Sequence, residues 1–146
     1  MEEKVILLVE DNPDDEELTL LALRKNHIQN EIVVAHDGVE ALDYLFGTGM
    51  YENRDTSRQP QVVLLDIKLP RLNGLDVLQR MRENPATQFL PVVILTSSSE
   101  EEDILASYRL GANSFVRKPV NFHQFVDAIQ QLGIYWLLLN QCPPCK

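Results

Sequence analysis

The sequence predicts an α/β fold in which one parallel sheet carries helices on both faces. Two patterns favour this fold. Short, continuous apolar runs rich in β-branched residues, such as Val62–Leu65, are typical of strands that are buried on both faces. These runs alternate with longer stretches at helical spacing, and the short joints between them imply right-handed crossovers within a single sheet.

Start and stop signals support a helix after each strand. Asn12 and Pro13 suit an N-cap followed by a first-turn proline, Asn121 can cap the last helix, and Gly111 suits a helix C-terminus. The apolar stripe of the last helix includes Phe125. In chain order, the predicted strand and helix pairs are Lys4–Val9 with Pro13–Asn26, Glu31–His36 with Gly38–Phe46, Gln61–Leu65 with Leu72–Asn84, Pro91–Leu95 with Glu100–Leu110, and Ser114–Arg117 with Phe122–Leu139.

The strand compositions also predict the order of the strands. The second strand is short and the fifth mixes apolar residues with Arg117, so both are expected at the edges of the sheet. The first, third and fourth strands are then central, as in the order 2-1-3-4-5 of doubly wound, flavodoxin-like (βα)5 folds. We expect one domain at residues 1–139 and a tail at 140–146.

Composition limits the classes of partner. The 22 acidic and 13 basic residues give a net charge of −9, which argues against binding to nucleic acid or to an anionic membrane. No apolar stretch approaches the roughly 20 residues of a membrane span, and the N-terminus lacks a basic signal region, so a cytoplasmic location is expected. Cys142 and Cys145 could form a redox pair or half of a zinc site, but we interpret them as reduced thiols in a tail.

Acids and a hydroxyl follow three of the predicted strands. Glu10 and Asp11 follow the first, Asp66 the third and Thr96 the fourth, so all four should meet at the carboxyl edge of the sheet. Clustered carboxylates repel one another unless a divalent cation lies between them, and ligands that are all oxygen favour Mg²⁺. Acids that only cap helices or solvate a loop are the alternative, which explains Asp66 poorly because that residue follows a buried strand.

The same edge could handle a phosphoryl group. An aspartate can accept such a group covalently, and the transfer needs mainly positioning and charge neutralisation. Asp66 would be the nucleophile, Thr96 would supply a hydroxyl, and Lys118, which closes the fifth strand, would supply a cation.

Four segments resemble the receiver domain of two-component response regulators. They are Leu-Val-Glu-Asp-Asn, Leu-Leu-Asp-Ile-Lys-Leu-Pro, Val-Ile-Leu-Thr-Ser and Phe-Val-Arg-Lys-Pro. The resemblance implies that Asp66 takes a phosphoryl group from a phosphohistidine of a sensor histidine kinase. It also implies that Mg²⁺ is held by Asp11, Asp66 and the backbone carbonyl of Lys68, with Glu10 assisting through water.

The resemblance further implies a switch. Thr96 and Lys118 would contact the phosphoryl oxygens, and the bond between Lys118 and Pro119 would be cis. The switch aromatic, often Tyr in this family, falls on Phe115, and Ser97 stands where a smaller residue is common. The face of the fourth helix, fifth strand and fifth helix would then change shape and signal to a protein target that the sequence does not identify.

Two segments depart from a generic receiver. Residues Gly47–Pro60 form a long joint, and Ile134–Leu139 is apolar all around the helix. The second segment is either a homodimer surface or a tail that packs onto the domain. Stand-alone receivers associated with bacterial phytochromes look similar in both places, which implies a phytochrome-linked kinase.

Other readings of the fold fit less well. A flavodoxin needs a phosphate loop after its first strand, where this chain has acids, and dehalogenase-type phosphatases carry a second Asp where this chain has Lys68. No phosphate-binding Gly-rich motif with Lys occurs, so we expect no enzyme with external turnover, only phosphoryl uptake and loss at Asp66. The remaining alternative is a receiver-fold interaction module that works without phosphate.

Overall fold

The computed structural model describes residues 5–26, 30–97, 100–118, 121–133 and 136. Its five parallel strands form one sheet in the order β2-β1-β3-β4-β5, which confirms the predicted flavodoxin-like fold. Within the described ranges, no helix has the length and hydropathy to cross a bilayer. The elements are β1 (Val5–Val9), α1 (Pro13–Lys25), β2 (Glu31–Ala35), α2 (Gly38–Phe46), the 3₁₀ helix η1 (Gly49–Tyr51), β3 (Val62–Leu65), α3 (Gly74–Glu83), β4 (Val92–Thr96), α4 (Glu101–Arg109), β5 (Ser114–Arg117) and α5 (Phe122–Gly133).

The sheet separates two hydrophobic cores. Successive residues of a strand point to opposite faces, so Leu7 and Val9 of β1 join the core under α2 and α3, whereas Ile6 and Leu8 join the core under α1 and α5. All four of these side chains are at most 2% exposed. Burial on both faces is the reason that β1 reads as a continuous apolar run in the sequence.

The capping predictions are confirmed at three helix ends. The side chain of Asn12 accepts hydrogen bonds from the N–H groups of Asp14 and Asp15, and Asn121 caps α5 in the same way. Gly111 follows α4 at a φ of 96°, a left-handed conformation that suits glycine.

The predicted bounds of the first four helices agree with the structure to within one residue, except at the start of the third. The sequence predicts that start at Leu72, but α3 begins at Gly74. The side chain of Asn73 accepts a hydrogen bond from Asp76 N–H, which makes Asn73 the N-cap, and Leu72 belongs to a turn closed on Pro70. The predicted part of the last helix beyond Gly133 lies outside the described residues, apart from Trp136.

The long joint between α2 and β3 is an ordered loop built around Arg54. The guanidinium group stacks 4.0 Å from the centre of the Tyr44 ring and donates hydrogen bonds to the backbone carbonyls of Tyr44 and Leu45. The ring of Tyr51 meets Tyr44 edge-on at 5.2 Å. These contacts satisfy carbonyls that the end of α2 would otherwise leave unpaired.

Trp136 lies at the amino edge of the sheet. Its side chain is 7% exposed and lines a small apolar cavity with Ile6 and Val62, near the amino ends of β1 and β3. Its backbone carbonyl accepts a hydrogen bond from the side chain of Gln61. Trp136 therefore lies at the opposite end of the sheet from the acidic cluster, and its surroundings depend on how α5 packs.

Gly74 brings the loop after β3 close to the sheet. Its N–H donates a hydrogen bond of 2.7 Å to the carbonyl of Ile67. A Cβ atom at this position would lie 2.0 Å from the backbone oxygen of Asp66, which cannot swing away as a side chain could. Only glycine at residue 74 therefore allows the start of α3 to approach the backbone of Asp66 this closely.

We expect Gly74→Ala to lower the free energy of unfolding by roughly 1–3 kcal/mol, the usual range for overpacking. Helix propensity alone predicts the opposite sign, since Ala is the better helix former. Urea denaturation measures the change, with Glu83→Ala at the exposed end of α3 as the control, expected within about 0.5 kcal/mol of wild type. A Gly74→Ala protein as stable as wild type would contradict the close approach.

Candidate metal-binding site at the sheet edge

Three carboxylates meet at the carboxyl edge of the sheet. Glu10 and Asp11 directly follow β1 and Asp66 directly follows β3, and one oxygen from each residue lies within 4.8 Å of the others. Glu10 is 1% exposed and Asp66 is 8% exposed, whereas Asp11 faces solvent. The parallel pairing of Val9 with Leu65 brings the two strand ends level, so the acids that follow them are adjacent.

The ammonium group of Lys118 lies among these acids. It contacts the carboxylate of Glu10, and it lies 3.4 Å from Oδ2 of Asp66 and 3.2 Å from Oδ2 of Asp15. The backbone N–H of Lys118 donates a 2.7 Å hydrogen bond to the carbonyl of Thr96, which ties the residue to the end of β4. One cation is thus shared by carboxylates from three segments of the chain.

Burial and charge shift the ionisation of this pair. Burial raises the pKa of Glu10 from its ordinary 4.5 to about 7, although the hydrogen bond from Lys118 acts in the opposite direction. Burial alone would lower the pKa of Lys118, but Glu10, Asp66 and Asp15 together raise it above 10.5. Lys118 therefore stays charged and offsets part of the negative charge around it.

The backbone also fixes the carboxylate of Asp66. Its Oδ1 atom accepts a 2.7 Å hydrogen bond from the N–H of Ile67, while Oδ2 faces Lys118. An acid that directly follows a buried strand is compensated here by one backbone donor and one cation. These two contacts hold the Asp66 carboxylate in place.

The other predicted site residues lie on β4, on β5 and in the loop that follows Asp66. Thr96 ends β4 and is 1% exposed, and Phe115 is partly buried in β5, where it pairs with Ile94 of β4. Lys68 lies exposed in the loop that follows Asp66. The predicted cis bond between Lys118 and Pro119 involves a residue outside the described ranges.

Asp15 belongs to the cluster and was not predicted. Its place in an acidic run, Asp14 to Glu17, indicated only a favourable interaction with the helix dipole. The available signal was its spacing: Asp15 stands on the first turn of α1, which begins at the edge where β1 ends. Its contact with Lys118 joins residues 103 positions apart.

The donor set fits a hard divalent cation. Three carboxylates converge on one point and a single ammonium group balances only part of their charge. Oxygen-only ligands, two of them buried, favour Mg²⁺ or Mn²⁺ over softer metals that prefer sulfur or imidazole. The chemistry of these side chains is therefore compatible with the metal that the sequence predicts.

Comparison with known proteins identifies the family of the chain. The model of the response regulator receiver domain matches residues 6–130. The chain belongs to this receiver family. Response regulator Rcp1 of Synechocystis sp. is 38% identical over 134 residues, which are 92% of this chain and 89% of Rcp1. This chain is therefore a receiver domain of the two-component signalling class.

Solved receiver structures agree closely with this one. The phosphorylated cyanobacterial phytochrome response regulator RcpA is 35% identical with a TM-score of 0.89, over 98% of this chain and all of RcpA. The bacteriophytochrome response regulator AtBRR is 57% identical with a TM-score of 0.78, over 97% of this chain and 100% of AtBRR. Rcp1 itself has been solved in a Mn²⁺-bound form, with 36% identity and a TM-score of 0.86 over 97% of this chain and 99% of that one. Receiver domains bind divalent metal, and in this chain the carboxylates of Glu10, Asp11 and Asp66 are the group that could do so.

The raised pKa of Glu10 predicts a pH dependence of stability. Between pH 4.5 and about 7 the unfolded chain releases the Glu10 proton while the folded, metal-free protein keeps it, so this group stabilises the fold below that window and the stabilisation is lost as the pH rises through it. Relative to Glu10→Gln, the free energy of unfolding of the wild type should fall by at most about 3 kcal/mol across the window. Denaturant titrations in chelator at several pH values test this. A difference between the two proteins that does not change with pH would contradict it.

Proposed function

We propose that this receiver takes a phosphoryl group onto Asp66 from a sensor histidine kinase in a Mg²⁺-dependent reaction. The observation that carries the proposal is that the carboxylates of Glu10, Asp11 and Asp66 meet at one point, with the ammonium group of Lys118 in contact with those of Glu10 and Asp66. A buried carboxylate with one adjacent cation, close to two further acids, has the groups that phosphoryl transfer requires.

The reaction exchanges one bond to phosphorus for another. The phosphorus–nitrogen bond of the phosphohistidine breaks, its electron pair stays with the imidazole, and a carboxylate oxygen of Asp66 forms the new bond to phosphorus. Asp66 is oriented for this by the N–H of Ile67. Asp11, Asp66 and the Lys68 carbonyl would hold Mg²⁺, with Glu10 assisting through water, and the ion would supply positive charge to the phosphoryl oxygens.

Lys118 and Thr96 then stabilise the product. Phosphorylation adds about −1.5 to −2 charges at neutral pH, so the ammonium group of Lys118 gains a stronger partner than its carboxylates. Thr96 ends the strand next to β5, and its hydroxyl would bind another phosphoryl oxygen. Both residues would reach the product from the carboxyl edge of the sheet, where the backbone N–H of Lys118 donates a hydrogen bond to the carbonyl of Thr96.

A shift of Thr96 would be transmitted through β5. Phe115 pairs with Ile94, two residues before Thr96 in β4, and its ring is only partly buried. Space vacated by Thr96 would let this ring turn inward and change the face formed by α4, β5 and α5. The change is a shift of population between two states of one fold, with a protein target as the reader of that face.

The relatives suggest the partner kinase. RcpA and AtBRR are described as phytochrome response regulators. We infer that the kinase of this chain is linked to a phytochrome and that the transfer takes place in the cytoplasm. A receiver-fold module that works without phosphate remains the alternative, but it has no need of the acids, Thr96 and Lys118 together.

Asp66→Asn should abolish phosphoryl uptake from radiolabelled acetyl phosphate, because an amide cannot form the acyl phosphate. Chelation of Mg²⁺ should have the same effect on wild type. Asp76→Asn in the first turn of α3 removes the same charge away from the cluster and should label at the wild-type rate. A labelled Asp66→Asn protein would contradict the assignment, and a wild type that takes up no phosphate from kinase or acetyl phosphate would favour the phosphate-independent module.

We also propose that the apolar run at residues 134–139 forms a homodimer surface, because its sequence is apolar on every face of a helix and the sheet of its own domain cannot cover them all. Multi-angle light scattering should give the mass of a dimer, and Leu138→Asp should give that of a monomer. Leu18→Asp, at an exposed position on α1, is the matched control and should stay dimeric. A wild-type monomer both with and without beryllofluoride would contradict the dimer and favour a tail that packs onto its own domain.

A further inference from the structure

Lys118 has a third carboxylate partner whose position differs from that of the other two. The carboxylates of Glu10 and Asp66 are 1% and 10% exposed, whereas that of Asp15 is 36% exposed. The side chain of Lys118 is itself 8% exposed. Asp15 is therefore the partner on the solvent side of the ammonium group, where a dissolved anion would approach it.

The backbone of Asp15 is fixed from both sides. Its N–H donates a 3.1 Å hydrogen bond to the side chain of Asn12, and its carbonyl accepts a 2.8 Å hydrogen bond from the hydroxyl of Thr19, which is fully buried. The start of α1 thus sets the position of the Asp15 carboxylate. Its neighbours have other roles, since Asp14 is exposed and Glu16 bonds to His36 at 2.8 Å.

We propose that Asp15 is a positioning residue that competes with an incoming phosphoryl group for the ammonium group of Lys118. The inference rests on the proposed function, because it needs a phosphoryl donor at Asp66. A donor anion approaching Lys118 from solvent meets the negative charge of Asp15, and like charges repel. The ammonium group must also weaken its 3.2 Å contact with Asp15 when it moves onto phosphoryl oxygens.

The consequence is a receiver that resists small phosphodonors. Asp15 stabilises the resting arrangement, in which Lys118 bonds to carboxylates, over the arrangement in which Lys118 bonds to phosphate. It acts on the binding of the anion and not on the nucleophile, since Asp66 is oriented separately by Ile67. Removing its charge should therefore change the half-saturating donor concentration more than the maximal rate.

The first experiment measures uptake from acetyl phosphate in Mg²⁺ buffer. Asp15→Asn should raise the rate at sub-saturating donor by about threefold, the factor expected of a partly exposed ion pair, mainly through a lower half-saturating concentration. Asp15→Glu keeps the charge and should remain close to wild type. Asp14→Asn removes one charge from the same helical turn and should also leave the rate close to wild type. Equal acceleration by Asp14→Asn and Asp15→Asn would overturn the proposal in favour of a general charge effect.

The second experiment does not depend on phosphorylation. Acylation of lysine amines in the metal-free protein, quantified by mass spectrometry with Lys25 as the internal reference, reports how strongly Lys118 is held. Labelling of Lys118 should rise in Asp15→Asn and not in Asp14→Asn. Unchanged labelling would overturn the positioning role of Asp15 even if uptake changed. Increased labelling in a protein that takes up no phosphate would support that role and refute the proposed function instead.

Discussion

The structure depends on one buried ammonium group shared among carboxylates. Charges that leave water without a partner are strongly destabilising, so Glu10 and Asp66 can follow buried strands only because Lys118 lies between them. Burial raises the pKa of Glu10, and a single ammonium group leaves part of the carboxylate charge unbalanced, which favours a divalent cation. The same buried charges therefore affect both the stability of the fold and the binding of a cation, and a substitution among them should change both.

The rest of the fold serves to bring these groups to one place. The pairing of β1 with β3 places the acids that follow these strands side by side. The hydrogen bond from Lys118 N–H to the Thr96 carbonyl holds the lysine backbone at the end of β4. Gly74 lets the loop after Asp66 fold back against the sheet. Each constraint is a backbone feature, so the charged cluster is positioned mainly by the backbone and not by contacts between its own side chains.

Much of this arrangement can be predicted from the sequence. The apolar run of each strand stops at a polar residue, and in a parallel sheet all such stops fall on one edge regardless of how the side chains pack. Glu10, Asp66 and Thr96 could therefore be grouped without coordinates. The start of the third helix is harder to predict, because it depends on which residue supplies the N-cap. In the structure, the side chain of Asn73 accepts a hydrogen bond from the N–H of Asp76, which makes Asn73 the cap.

The sequence alone determined the fold class, the strand order and the grouping of Glu10, Asp11 and Asp66, because these follow from hydrophobic period and from the positions where strands end. Only the tertiary structure decided which partners Lys118 takes, that Asp15 is one of them, and that Trp136 lies at the far edge. Such contacts depend on how far each helix is rotated about its axis on the sheet. That rotation is set by the packing of the two cores as a whole, which no local pattern encodes.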